Sequence, residues 1–131
     1  MGQKERAFAA IFAGLFTGFA IIMGLEYLSP YRPPEGLDVE NKQQMGDWIQ
    51  TLPITAFLLL LAIYFVAAVA AGFVANKVAK PTRYRPALIA GVGLLVAGAL
   101  NLLQFPHPIW FVALSSAAYL VGAWQGGRMA K

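Results

Sequence analysis

The chain has no cysteine, one histidine and only six acidic residues among 131. The missing cysteines exclude disulfides, thiolate nucleophiles and cysteine-bound zinc. One histidine excludes bis-histidine haem within a single chain. No Walker loop, dinucleotide fingerprint, H-E-x-x-H or G-x-S-x-G pattern occurs. Glu35, Asp38, Glu40 and Asp47 do not follow the EF-hand ligand spacing. No nucleophile–base pair and no metal constellation is left. The reading is therefore of a non-enzymatic protein with no catalytic residues, no metal and no cofactor.

Charge is scarce as well, at 12% of residues, and its placement is informative. Four stretches, Ala7–Leu25, Ile54–Ala75, Ala87–Leu103 and Ile109–Gly127, contain no charged residue. The hydrophobic fraction is 59% and the mean hydropathy +0.62, above the roughly 45–50% apolar content of a soluble domain. A bilayer core about 30 Å thick takes about 20 apolar residues per helix. Backbone polar groups have no partner in hydrocarbon, so continuous runs of this length must be helical. The expected fold is all-α, a single transmembrane domain over 1–131. Its four-helix bundle has spans at about 7–28, 53–76, 86–104 and 108–127.

Lys4, Arg6, Lys77, Lys80, Arg83, Arg85, Arg128 and Lys131 fall at the two ends and in the second connector, against one acid, Glu5. The first connector holds Arg32 and Lys42 against four acids. The positive-inside rule then puts both termini in the cytoplasm and the 29–52 loop outside, in the periplasm or extracellular space. The net charge of +4 reads as an orientation signal and an anchor to anionic lipid. No basic groove for nucleic acid is left over. The basic N-terminus and long apolar run, with no A-x-A-like site after it, read as an uncleaved first helix.

Prolines punctuate the connectors. Pro30, Pro33 and Pro34 exclude regular helix after Ser29. Asp38 is expected to cap a short helix through Gln50, with Leu37, Met45, Trp48 and Ile49 lying on the membrane surface. Thr51 is expected to cap span 2, with Pro53 in its first turn. Pro86 opens span 3, and Phe105-Pro106-His107-Pro108 makes a tight hairpin into span 4. Trp48, Tyr84, Trp110 and Trp124 fall at the expected interfaces. A weak internal repeat lays Ala71–Lys80 over Gly122–Lys131, as a tandem duplication of a helical hairpin would.

In lipid, helices associate through close packing of small residues. At 100° per residue each span carries one such stripe. Span 1 has Ala10, Gly14, Thr17 and Gly18, opposite Phe8, Phe12, Phe16, Phe19 and Met23. Span 2 has Tyr64, Ala68, Ala71 and Ala75. Span 3 has Ala90, Gly93, Ala97, Asn101 and Gln104. Span 4 has Ser115, Tyr119, Gly122 and Gly126. These stripes are expected to face inward. Gly91, Gly98, Ala113 and Ala117 lie off them and could serve a second interface, with another copy or a membrane partner subunit.

Few residues could carry chemistry. Glu26 is the only acid in or near a span, and an ionisable residue at membrane depth is a functional candidate by default. From Ala7 it rises by about 28 Å, to the outer boundary. Its angle places it on the phenylalanine side, where a carboxylate could simply reach headgroups or water. Asn101, Gln104 and His107 cluster at the outer end of span 3. They could form a polar pocket with Glu26, or Asn101 and Gln104 could bond across helices while His107 is a wet turn residue. Tyr64, Tyr119, Ser115 and Ser116 lie deeper, as interhelical glue or, for the tyrosines, as the lining of a small cavity.

The segments Gly24-Leu25-Glu26, Tyr31-Arg32-Pro33-Pro34-Glu35-Gly36-Leu37-Asp38, Thr51-Leu52-Pro53, Asn101-Leu102-Leu103 and Pro106-His107-Pro108-Ile109-Trp110 carry a resemblance. With them the chain resembles a loose set of short, uncharacterised four-span bacterial inner-membrane proteins. That implies four spans and an inner membrane and brings no activity. By size and an acid in span 1 it also looks like the small multidrug resistance transporters. It departs from them in the shallow position of Glu26 and in its proline-rich outer loop, which argues against proton-coupled drug export.

Two functional readings follow. The first is an accessory or scaffold subunit, or a homo-oligomer, that acts through helix packing in the lipid bilayer. The alternative is a small transporter or channel-like protein, or a binder of a lipid or quinone-type ligand. It would have an outer-leaflet polar site at Glu26, Asn101, Gln104 and His107, with Tyr64 and Tyr119 below. A closed interior favours the first. A cavity that Glu26 and His107 share favours the second.

Overall fold

Continuous apolar runs closed by prolines become five helices in the computed structural model, which describes residues 2–31, 33–80, 85–104 and 107–130. They are α1 (Gln3–Leu28), α2 (Lys42–Gln50), α3 (Ile54–Ala79), α4 (Arg85–Gln104) and α5 (Ile109–Met129). Three of them, α1, α3 and α4, are long and apolar enough to cross a membrane. At 26 residues, α1 and α3 are each about 39 Å long. α5 is as long as α4 but more polar, because Ser115, Ser116, Tyr119 and Gln125 interrupt its apolar run.

α3 is the hub of the bundle and packs against α1, α4 and α5. α1 and α5 occupy opposite flanks, each also touching α4. Close approach rests on small residues. A Cβ on Gly14 would lie 2.6 Å from the Ala71 carbonyl oxygen, so α1 can meet α3 there only through glycine. Gly72 faces the Ala123 backbone and Gly126 the Val69 backbone in the same way. Gly122 abuts Ala68, and Gly18 receives Leu94 from α4. Ala68, Ala71 and Ala75 are fully buried, while Phe8, Phe12 and Phe16 are 67%, 68% and 76% exposed. The small stripes expected to face inward on α1, α3 and α5 are thus buried, Thr17 only in part, and the phenylalanines of α1 face outward, whereas Phe57 and Ile63 of α3 and Phe111 of α5 join the core.

α4 differs. Its buried face is Ala87, Ala90, Gly91 and Leu94; Gly93 and Ala97 are half-buried, and Asn101 and Gln104 are exposed. The helix lies against α3, wedged between α1 and α5, and uses two faces. Gly93 accepts Leu15 of α1, while Gly91 and Gly98 accept Ala123 and Tyr119 of α5. Gly91 and Gly98, assigned from sequence to a second interface, therefore pack inside the chain. Ala113 and Ala117 stay exposed on α5.

α3 and α5 run parallel, and Asn76 of α3 bonds the Gly127 carbonyl, a separation of 51 positions. That is the offset at which the sequence repeat aligns. Gly72 and Ala123, one turn earlier at the same offset, also meet.

Two cap assignments change. Asn41, not Asp38, caps α2: its side chain accepts the Gln44 N–H at 3.1 Å, and the Gln44 side chain in turn accepts the Asp38 N–H at 3.0 Å. Asp38 instead closes its own turn, accepting the Glu40 N–H. Thr51 ends α2 instead of opening α3, donating its hydroxyl to the Trp48 carbonyl at 2.6 Å. Pro53 then stands at the N-cap of α3. Pro86 lies in the first turn of α4, as expected. Arg32, Arg83, Tyr84, the Phe105-Pro106 half of the hairpin and Lys131 lie outside the described residues.

Candidate functional site

At the end of the bundle that carries the 29–52 segment, the helices part around a cavity of about 220 Å³. Its polar lining comes from four places in the chain: Glu26, Ser29 and Tyr31 at and just beyond the end of α1, Tyr64 on α3, Asn101 on the last turn of α4, and His107 just before α5. Trp48, Ile49, Met45 and Leu52 roof it from α2 and its exit, and Ala56, Phe57 and Leu60 of α3 form the wall below. A second depression, of about 370 Å³, shares Ile49, Leu52, Phe57 and His107 with it.

Glu26 reaches this cavity although a straight-helix projection places it with the phenylalanines. The contact path of α1 follows the i+4 row Ala10, Gly14, Gly18, Ile22 and Glu26. The first three are buried, and Ile22 packs against the core. Such a row drifts round the helix by about 40° per step. At its far end it has carried the carboxylate inward. No hydrogen bond or ion pair joins the Glu26 side chain to another described residue.

His107 is held by aromatic rings. It stacks on Phe111 at 5.7 Å and 17° and meets Phe57 edge-on at 6.5 Å. Phe57 also packs on Phe111 at 5.2 Å and against Trp110 at 6.1 Å. The cluster fixes the imidazole in the cavity wall. Tyr31, another lining residue, is pinned by a 2.8 Å hydrogen bond between its hydroxyl and that of Thr55.

Four of the six residues singled out from sequence, Glu26, Asn101, His107 and Tyr64, thus line one cavity. Tyr119 sits behind it, buried, with its ring stacked on Tyr64 at 5.3 Å. Gln104 is exposed and is not among the lining residues. Ser115 and Ser116 are not interhelical glue. Both hydroxyls donate to the Val112 carbonyl of their own helix, as Thr17 does to that of Ala13.

Sequence reasoning missed two features. The first is the roof: the apolar face of α2, expected to lie on the membrane surface, instead turns Met45, Trp48 and Ile49 onto the cavity, with Ile49 buried in the core. The second is Asn76, buried at the opposite end of the bundle. Its carbonyl oxygen accepts the Ala87 N–H at 3.0 Å, and its amide donates to the Gly127 carbonyl at 3.4 Å. Ala87 N–H belongs to the first turn of α4, where amides have no partner inside their own helix, and Gly127 C=O to the last turn of α5, where it also accepts the Ala130 N–H at 3.3 Å. An asparagine beside Lys77 at a helix end gave no hint of that role. Nearby, Arg128 lies over the Trp124 ring, 4.8 Å from its centroid.

Among the described residues no group of three metal-ligating side chains exists. Comparison of the chain with protein-family models, with curated proteins and with solved structures finds no match. What fold and site define is therefore a class: an all-helical protein with three helices able to cross a membrane and a partly polar, aromatic-walled cavity at one end of its bundle.

Proposed function

We propose that this is a four-span protein of a bacterial inner membrane, with both termini cytoplasmic, that binds a small ligand or lipid headgroup in a cavity opening to the outer face. One observation carries the reading: residues from α1, α3, α4 and the segment before α5, which are Glu26, Tyr64, Asn101 and His107, line a single cavity. Convergent polar groups in an otherwise apolar concavity are the usual form of a binding site. A bundle that worked by packing alone would have that space filled. Orientation rests on the basic residues of the two ends and the second connector. The fourth span rests on the length of α5 and its close parallel packing against α3.

Accessibility tests the reading, because the chain has no cysteine. A small charged methanethiosulfonate reagent added from outside labels Leu60→Cys, in the cavity wall, and spares Leu100→Cys on the exposed apolar face of α4. Equal protection of both positions would close the cavity to water and end the proposal. A second reading, an accessory subunit or homo-oligomer, is favoured by exposed Ala113 and Ala117 on α5. Subunit mass in nanodiscs tests it.

A further inference from the structure

Resting on the cavity reading above, we infer that the cavity takes an alkylammonium group, with Glu26 as its counter-ion and the surrounding rings as its cage. The Glu26 carboxylate is partly buried, opens into the cavity and has no hydrogen-bond or ion-pair partner among the described residues. No lysine or arginine is among the described lining residues. Burial of an uncompensated carboxylate is costly, and a cation that enters beside it removes that cost. An anionic headgroup would meet a like charge, and a neutral one would leave the carboxylate as it is. The rest of the lining supports the same choice. Trp48, Phe57, Tyr64 and Tyr31 all contribute to the wall, and aromatic faces attract alkylammonium ions through the ring quadrupole. The volume, about 220 Å³, lies below the roughly 300–1,000 Å³ of drug-sized pockets and suits one headgroup.

Such a cation could be a lipid headgroup or a free solute, and the experiment separates them. Binding of hexyltrimethylammonium to the purified protein is measured in phosphatidylglycerol nanodiscs, against its uncharged isostere with a tert-butyl group and against hexyl sulfate. The cation binds at least tenfold tighter than either. Glu26→Gln, isosteric and at the end of its helix, removes at least tenfold of that affinity while unfolding temperature and mass stay unchanged. Trp48→Leu weakens the cation more than the isostere. Arg32→Gln binds at least as tightly as the parent chain. Replacing phosphatidylglycerol with phosphatidylcholine weakens the free probe by competition if the lipid headgroup is the occupant, and leaves it unchanged if a solute is.

Equal binding of cation and isostere, or an unaffected Glu26→Gln, overturns the cation assignment while leaving a cavity that binds neutral ligands. Loss of binding in Arg32→Gln together with preference for hexyl sulfate makes the site anionic and also overturns it. No binding of any probe, with Leu60→Cys unreactive, removes both the assignment and the cavity reading.

Discussion

Among the described residues, the amide of Asn76 and the hydroxyl of Ser115 are carried by buried polar side chains. Ser115 satisfies itself within its own helix, whereas Asn76 ties α3 to both α4 and α5. Its removal leaves the Ala87 N–H and the Gly127 carbonyl without that partner. Asn76→Ala is expected to destabilise the protein by about 1–2 kcal/mol, the upper range for interhelical bonds in membranes, read as a lower unfolding temperature in nanodiscs. Glycines divide by what they face. Gly126→Ala drives a Cβ into the Val69 backbone, and overpacking of about 1–3 kcal/mol outweighs the gain of about 1 kcal/mol in helix propensity. Gly24→Ala meets nothing within 4 Å and should stabilise by up to about 1 kcal/mol. Opposite signs in one thermal assay would confirm that close approach, and not helix flexibility, selects glycine at position 126.

Among the elements, α2 is the one whose role depends on its neighbours. Nine residues are too few for a helix to persist alone in water. It is held by the Asn41 and Thr51 caps and by Ile49, 6% exposed, set into the core cluster. Ile49→Ala removes that anchor. Amide exchange across 42–50 should then rise roughly tenfold or more, a cost above about 1.4 kcal/mol, while exchange in α3 stays slow. Uniform acceleration through α3 would instead mean that α2 is part of the bundle's cooperative core. The same element sets access to the cavity, since Met45, Trp48 and Ile49 form its roof.

For the whole molecule, the question is whether α5 crosses the bilayer. α1, α3 and α4 have the length and apolarity to do so on their own. α5 carries more polar side chains, but Ser115, Tyr119, Gly122 and Gly126 are buried against its neighbours and would not face lipid. Single cysteines in the cysteine-free chain decide this. With four spans, Glu40→Cys reacts with an impermeant maleimide in intact cells, and Lys4→Cys and Arg128→Cys react only after permeabilisation. With three spans, Arg128→Cys would react from outside together with Glu40→Cys.

Much of this architecture is legible in the linear chain. Apolar runs broken by proline dictate the long helices, because backbone in hydrocarbon must bond to itself, and the small stripes dictate the inward faces of α1, α3 and α5. Local chemistry pointed to Asp38 as the cap of α2, but Asn41 is as good an N-cap type and takes the role, with the Gln44 side chain reaching back to the Asp38 N–H. Nor could a projection place Glu26 or aim α4. Both depend on how helices cross and on which neighbours compete for a face, and those are properties of the assembled bundle. The sequence by itself determined an all-helical chain with charges confined, apart from Glu26, to its ends and connectors and with Glu26, Asn101 and His107 near one end. Only the tertiary structure decided that these residues share a cavity with Tyr64 while Gln104 does not. Side chains some eighty positions apart come to one cavity through the drift of α1 and the ring cluster that holds His107, and neither leaves a mark in spacing.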